Sequence, residues 1–175
     1  AALAAPGATV IEAEYGVPFV THACMEPMNA TAILHPDGRA EIWAPSQNRV
    51  TMRSGAARGM GWAGVSARET TLHITMNGGA FGRRSDQDVI AEAAYLAARH
   101  PGRAVKVIWS REEDIGRGLY RSHAAARLRA ALGPDGLPVA YDALVAAQSI
   151  LHSMGGRNLP VTPGPDGDDL TVEGL

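Results

Sequence analysis

The polar ends and apolar middle of Thr31-Ala-Ile-Leu-His35 read as a strand, Pro36-Asp37-Gly38 stops it, and Ala40-Glu-Ile-Trp-Ala44 alternates as the return. Two strands on either side of a Pro-Asp-Gly turn predict a β-hairpin. From Asn48 to Trp62 the spacing changes. Val50, Met52, Ala56, Ala57 and Met60 fall mostly at helical intervals, which predicts a helix, although Gly55 and Gly59 weaken it. Thr70–Met76 returns to period two and predicts a strand running into Asn77-Gly-Gly-Ala-Phe-Gly82. A helix is predicted from about Asp86 to Arg99. Ser85 is placed to cap it, Asp86 and Asp88 suit its positive end, and His100-Pro101-Gly102 stops it. Val89, Ile90, Ala93, Ala94, Leu96 and Ala97 give that helix one apolar face. Ala104–Trp109 predicts a further strand, expected in the middle of the sheet. Ala124–Leu132 and Val139–Ile150, around Gly133-Pro-Asp-Gly136, predict a second hairpin.

This order predicts an α+β fold: a two-layer domain over residues 1–154, with a mixed sheet and helices on one face. Residues 155–175, rich in Gly, Pro and Asp, predict a mobile tail. A length of 175 residues suits one domain, and 46% hydrophobic with 19% charged residues is a globular composition. Aromatic residues make up only 5%, so Ala, Val, Ile, Leu and Met must supply the packing. The net charge is -2 with acids and bases interspersed, and the absence of a basic stripe argues against a nucleic-acid partner. Cys24 is the only cysteine, which excludes an internal disulfide framework and is too few for a zinc site. No apolar run reaches the roughly 20 residues that span a bilayer. The first ten residues lack the basic start of a signal peptide and an initiator Met, and Leu170–Leu175 begins a new apolar segment. The chain is therefore expected to be an excised piece. Its localisation, cytoplasmic or periplasmic and membrane-associated, is left open.

Three segments could carry chemistry. In His22-Ala-Cys-Met-Glu26-Pro-Met-Asn29, Glu26 and Asn29 interrupt an apolar stretch. A carboxylate in such a setting needs a partner. Holding neighbouring backbone amides or an arginine is the simpler expectation; a metal face made of His22, Cys24 and Glu26 is the sharper one. Gly78-Gly79-Ala80-Phe81-Gly82-Arg83-Arg84 lies between a strand and a helix start, where glycines permit close backbone approach and free N–H groups face an anion. It is neither a Walker loop nor the dinucleotide pattern. An ordinary turn would explain the glycines, but Phe81 between them could offer a planar face to a ligand. In Ser110-Arg-Glu-Glu-Asp-Ile115 the charges read as a solvated helix start, while Arg121, after Gly118 and Tyr120, could clamp an anion or carbonyl.

Together these segments resemble the molybdenum-binding large subunit of the xanthine dehydrogenase and aldehyde oxidase family. The similarity is greatest to the branch of isoquinoline oxidoreductase beta subunits, nicotinate dehydrogenases and bacterial membrane-associated aldehyde dehydrogenases. The phrases that carry it are His22–Ala32, Trp43-Ala-Pro-Ser-Gln47, Gly78–Arg84, Val105–Asp114 and Tyr120-Arg121, in the family's order. The resemblance implies a molybdopterin cofactor, in bacterial members often the cytosine dinucleotide form. It places the backbone of Gly78, Gly79, Ala80, Phe81 and Gly82 beside molybdenum, with Phe81 also walling the substrate pocket. Arg121 would orient substrate and stabilise developing negative charge. The implied reaction puts water-derived oxygen on an aldehyde or N-heterocycle, and electrons leave through an iron–sulfur small subunit.

Departures from the family pattern narrow what carries over. Purine oxidisers have a glutamate where Ser85 stands and a glutamine where Val20 stands. The family's general base, in a Gly-x-Gly-Glu setting, lies beyond residue 175, so the rest of the large subunit is an expected partner. The isolated piece is expected to bind no molybdenum and turn over no substrate. The alternative functions are a non-catalytic module gripping an anion at Gly78–Arg84, or a subunit-contact domain.

Overall fold

The structure is a computed structural model that describes residues 9–148 together with Leu3. The expected tail and the end of the last predicted strand lie outside the described residues. In chain order the elements are β1 (Thr9–Val17), β2 (Val20–Thr21), β3 (Asn29–Leu34), β4 (Arg39–Ala44), α1 (Arg49–Trp62), β5 (Glu69–Ile74), α2 (Asp88–Arg99), β6 (Val105–Ile108), α3 (Arg111–Arg117), β7 (Tyr120–Arg121), β8 (Ala124–Leu132) and β9 (Pro138–Ala147). They fall into two compact units. Among the described residues, one is Thr21–Tyr120; the other takes those up to Val20 and those from Arg121 to Gln148.

The Thr21–Tyr120 unit has the expected α+β architecture. Its sheet runs β5-β4-β3-β6. β3 pairs antiparallel with β4, placing Thr31 opposite Trp43, and antiparallel with β6; β4 and β5 are parallel, with Trp43 beside His73. Both strands of the expected hairpin form, and burial alternates along each. Ala30, Ala32 and Leu34 of β3 and Ala40, Ile42 and Ala44 of β4 are buried, and they share the core with Met52, Ala56 and Met60 of α1 and Val89, Ile90, Ala93, Ala94 and Ala97 of α2. The expectation of a central β6 is corrected: it is an edge strand beside β3. Of its residues only Val105 and Val107 pack on the core, while Ile108 is 61% exposed, so Val105–Ile108 is not a strand buried on both faces.

Gly55 and Gly59 turn out to be the reason α1 fits. Asn48 caps the helix, its side chain accepting from the Val50 and Thr51 amides. A methyl group on Gly55 would lie 2.5 Å from Gln87 Cβ, and one on Gly59 would lie 2.0 Å from the Ala91 carbonyl oxygen. The helices meet backbone to backbone, and the alanine-rich buried face of α2 lets them do so. The helix after the loop is also corrected at its start. Arg83–Ser85 forms a 3-10 turn, α2 begins at Asp88, and its cap position is Gln87 with no side-chain capping bond. Ser85 therefore does not cap it.

The second hairpin does not extend the mixed sheet. β8 and β9 form a separate antiparallel sheet with β1, in the order β1-β8-β9. β1, which the sequence reading did not place, supplies its first strand.

The close helix contact gives a contrast that can be measured. Gly59→Ala should destabilise the protein by about 1–3 kcal/mol through overpacking. Gly61→Ala, on the exposed side with open space around its new methyl, should be neutral or stabilise by up to about 0.5–1 kcal/mol. Equal urea midpoints for the two variants would contradict the packing described.

Candidate functional site

The chain leaves β5 at Ile74, and the next residue is still held: Thr75 N–H donates to the Ala44 carbonyl at 3.1 Å. The loop that follows is fixed by residues far away in sequence. Gly78 N–H donates to Glu26 Oε2 at 2.9 Å, and Glu26 N–H donates back to the Gly78 carbonyl at 2.9 Å. This reciprocal pair needs glycine, because a methyl on Gly78 would lie 2.5 Å from Glu26 Cβ. At the far end Gly82 N–H donates to Gln47 Oε1 at 3.0 Å. Gln47 closes the phrase Trp43–Gln47, and the sequence alone gave it no role.

Between these anchors lies Arg84, with its side chain 1% exposed. Its Nε donates to the Gly79 carbonyl at 2.7 Å, and one Nη donates at 2.8 Å to both the backbone carbonyl and Oε2 of Glu26. The Glu26 carboxylate also accepts from Asn29 at 2.9 Å. The simpler expectation for Glu26 thus describes it fully: it holds a backbone amide and an arginine. Arg83 is buried too. It makes a two-point contact with Asp88 at 3.1 and 2.7 Å and lies over the Trp109 ring, whose other guanidinium neighbour is Arg117. Both cations of the loop are turned inward to these partners.

What the loop presents outward is backbone and Phe81. Among the described residues the N–H groups of Gly79, Ala80 and Phe81 have no hydrogen-bond partner. Gly79 and Gly82 both have φ of 95°, and Phe81 has φ of 54°. For a bulky side chain that left-handed conformation costs roughly 1–2 kcal/mol. Phe81 is also 69% exposed. A methyl on Gly82 would meet nothing within 4 Å.

The segment beside it is equally constrained. Ala23 has φ of 43°. Cys24, buried, donates from Sγ to the Ala80 carbonyl at 3.4 Å; burial pushes its thiol pKa up, keeping it protonated. His22 Nδ1 bonds the Leu119 carbonyl at 2.9 Å. Cys24 and Glu26 therefore spend their polar atoms on the fold, and their alternation has a structural cause. Arg111, read from sequence as solvated, donates to the carbonyls of Cys24 and Met25 and pairs with the buried Asp114 at 2.7 Å. The phrases at 22–29, 43–47, 78–84 and 110–114 thus converge on one loop pair. Arg121 sits in β7, exposed, and belongs to the other unit.

Electrostatics at Glu26 follow from these contacts. Burial raises its carboxyl pKa, but the Gly78 amide, the Asn29 amide and the Arg84 charge outweigh burial and hold it below the ordinary range. A lowered folded pKa stabilises the protein above the unfolded value of about 4.3, and that stabilisation is lost as pH falls through the folded value. Breaking a fully buried pair costs about 3–5 kcal/mol. The Glu26 side chain is 35% exposed, so Glu26→Gln should cost less, about 1–2 kcal/mol near pH 7. Its deficit against the parent protein should shrink on acidification, as urea titrations at several pH values can check. A deficit that stays constant into the acid range would show that the carboxylate charge is not what matters.

Comparison with known proteins identifies the family. Residues 1–154 match the family model of the molybdopterin cofactor-binding domain. The chain is 38% identical over 152 residues to the isoquinoline 1-oxidoreductase subunit beta of Brevundimonas diminuta, covering 86% of this chain and 19% of that protein. It is 32% identical over 139 residues to a membrane-bound aldehyde dehydrogenase of Gluconacetobacter polyoxogenes, covering 79% and 18%. Among solved structures the fold resembles quinoline 2-oxidoreductase from Pseudomonas putida 86, with a TM-score of 0.61 at 20% identity over 83% of this chain and 18% of that one. The aldehyde oxidoreductase of Desulfovibrio desulfuricans gives a TM-score of 0.61 at 20% identity, over 83% and 16%. The chain spans about a fifth of the length of the curated relatives it matches. It belongs to the molybdopterin cofactor-binding domain family of the molybdenum hydroxylases.

Proposed function

We propose that this chain is the part of a molybdenum hydroxylase large subunit whose Gly78–Gly82 loop walls the molybdenum cofactor, in an enzyme that oxidises an aldehyde or N-heterocycle with oxygen from water. The observation that carries this reading is the conformation of Phe81. An aromatic residue held at a φ of 54° and left 69% exposed is unfavourable both for the backbone and for solvation. Such strain persists where surrounding contacts impose it, and it concentrates at ligand sites. Here Gln47, Glu26 and Arg84 impose it.

The loop suits the group the family binds. Successive unpaired N–H groups at Gly79, Ala80 and Phe81 form a donor set for an anionic or oxo oxygen. The missing Cβ of Gly82 leaves open space beside them. When bound, the cofactor accepts the electron pair released as a substrate C–H bond gives way to C–O. This chain's part is to orient an acceptor oxygen through those amides and to exclude water with the Phe81 ring. The cytosine dinucleotide form, the iron–sulfur small subunit as electron acceptor, and Arg121 as the cation that orients substrate belong to the same proposal. The relatives named as isoquinoline and aldehyde enzymes support the substrate class.

The test uses the full-length subunit with its partner. Phe81→Gly removes the left-handed penalty, so a mere turn would become as stable or more stable, with activity unchanged. The cofactor-wall reading expects unchanged or higher stability with turnover reduced at least about tenfold, a barrier change of roughly 1.4 kcal/mol. Gly82→Ala should in addition lower molybdenum content per folded molecule. Normal turnover and normal molybdenum content in both variants would refute the assignment.

A further inference from the structure

The glycine loop faces a second constrained segment. Ala23 and Phe81 are the two non-glycine residues with positive φ among the described residues, at 43° and 54°. Their segments are joined by the bonds from Cys24 Sγ to the Ala80 carbonyl and from the Glu26 N–H to the Gly78 carbonyl. Backbone strain of this kind gathers at ligand sites, and here both facing segments carry it.

Arg111 lies behind the second segment. One Nη donates to the buried Asp114 at 2.7 Å; the other donates to the Cys24 carbonyl and, at 3.0 Å, to the Met25 carbonyl. In a trans peptide the C=O and N–H point in opposite directions, and no cis bond occurs among the described residues. Drawing the Cys24 and Met25 carbonyls to Arg111 therefore turns the N–H groups of Met25 and Glu26 away from it. The Glu26 N–H reaches the Gly78 carbonyl at 2.9 Å, so that direction is the side of the glycine loop. The Met25 N–H has no hydrogen-bond partner among the described residues. It stands beside Gly79, whose missing side chain leaves a recess. From the point where a Gly79 Cβ would sit, the Phe81 ring is 3.4 Å away, Met25 N 3.5 Å and Cys24 Cα 3.6 Å. An N–H spared by the chain, aimed by an ion pair and set beside three other unpaired amides, is a preorganised donor.

We propose that the Met25 N–H is a further backbone donor to the cofactor's oxygen atoms, beside those of Gly79, Ala80 and Phe81, and that Arg111 is the positioning residue that aims it. The inference rests on the reading of Gly78–Gly82 as the cofactor wall. Its test measures, in the full-length subunit with its partner, how fast molybdenum leaves the folded protein on dialysis well below the Tm. Met25→Pro deletes the N–H and should speed the loss at least about tenfold, the worth of one hydrogen bond to a charged group. Met25→Ala keeps the N–H and removes only the exposed side chain, so its rate should equal the parent's. Arg111→Lys keeps a cation opposite Asp114 but lacks the fork that spans two carbonyls, and it should lose molybdenum faster as well. Parent-like loss in Met25→Pro, or in Arg111→Lys where the proline variant yields no folded subunit, would overturn the proposal. Equal acceleration in Met25→Ala would overturn it too, by assigning the effect to the side chain. If Phe81→Gly and Gly82→Ala still behave as a cofactor wall requires, only the added donor falls; parent-like behaviour in all of these variants removes the wall itself.

Discussion

A guanidinium removed from water needs both a counter-charge and partners for its N–H groups, and Arg84 is the group whose needs organise this protein. Its side chain ties Gly79 to Glu26. Its backbone carbonyl accepts from the Gln47 amide, the Ser46 hydroxyl and the Gln87 side chain. Through these contacts one residue joins the end of β4, the start of α2, the glycine loop and the segment before β3. Remove the guanidinium and Glu26 is left with a half-buried charge held by amides alone, while the Gly79 carbonyl loses its donor. The pair therefore matters less for its own Coulomb energy than for the loop geometry it enforces.

The four-stranded sheet and both long helices were legible in the sequence because their signals are local. Alternation at Ala40–Ala44 and Thr70–Met76, and the apolar face of Val89–Ala97, depend only on which side of an element faces the core. What was not legible depends on contacts between distant residues. Gly55 and Gly59 read as helix weakeners, since a sequence does not reveal that a second helix lies against them. Ser85 looked like a cap because it is the right residue type just before a helical pattern, but the inward turn of Arg83 and Arg84 takes up those residues in a 3-10 turn. β1 had a readable signal, Glu12 and Glu14 alternating with Ile11, Ala13, Tyr15 and Val17. Its partner β8, however, lies more than a hundred residues away.

The site was legible in part. The phrases at Glu26 and at Gly78–Arg84 were recognisable as unusual, and Phe81 stood out among glycines. Their joining was not, because an ion pair between residues 26 and 84 leaves no local trace. Charge led the reading astray at Arg111, which suggested a solvated helix start but holds two carbonyls. There the guanidinium's planar array of donors outweighs its hydration, so arginine is used where lysine would not serve.

The manner in which the loop is held separates two kinds of position within it. Gly78, Gly79 and Gly82 are each fixed through their backbone to a side chain from elsewhere, so the loop's length and path are dictated by Glu26, Gln47 and Arg84. Phe81, and the neighbouring Met25 and Met76 at 88% and 94% exposure, point away from that scaffolding. Evolution can therefore exchange the outward side chains one at a time without disturbing the frame, whereas inserting or deleting a single loop residue would break several distant attachments at once. A lineage built on this frame is free to vary its chemistry by substitution and is closed to variation by loop length.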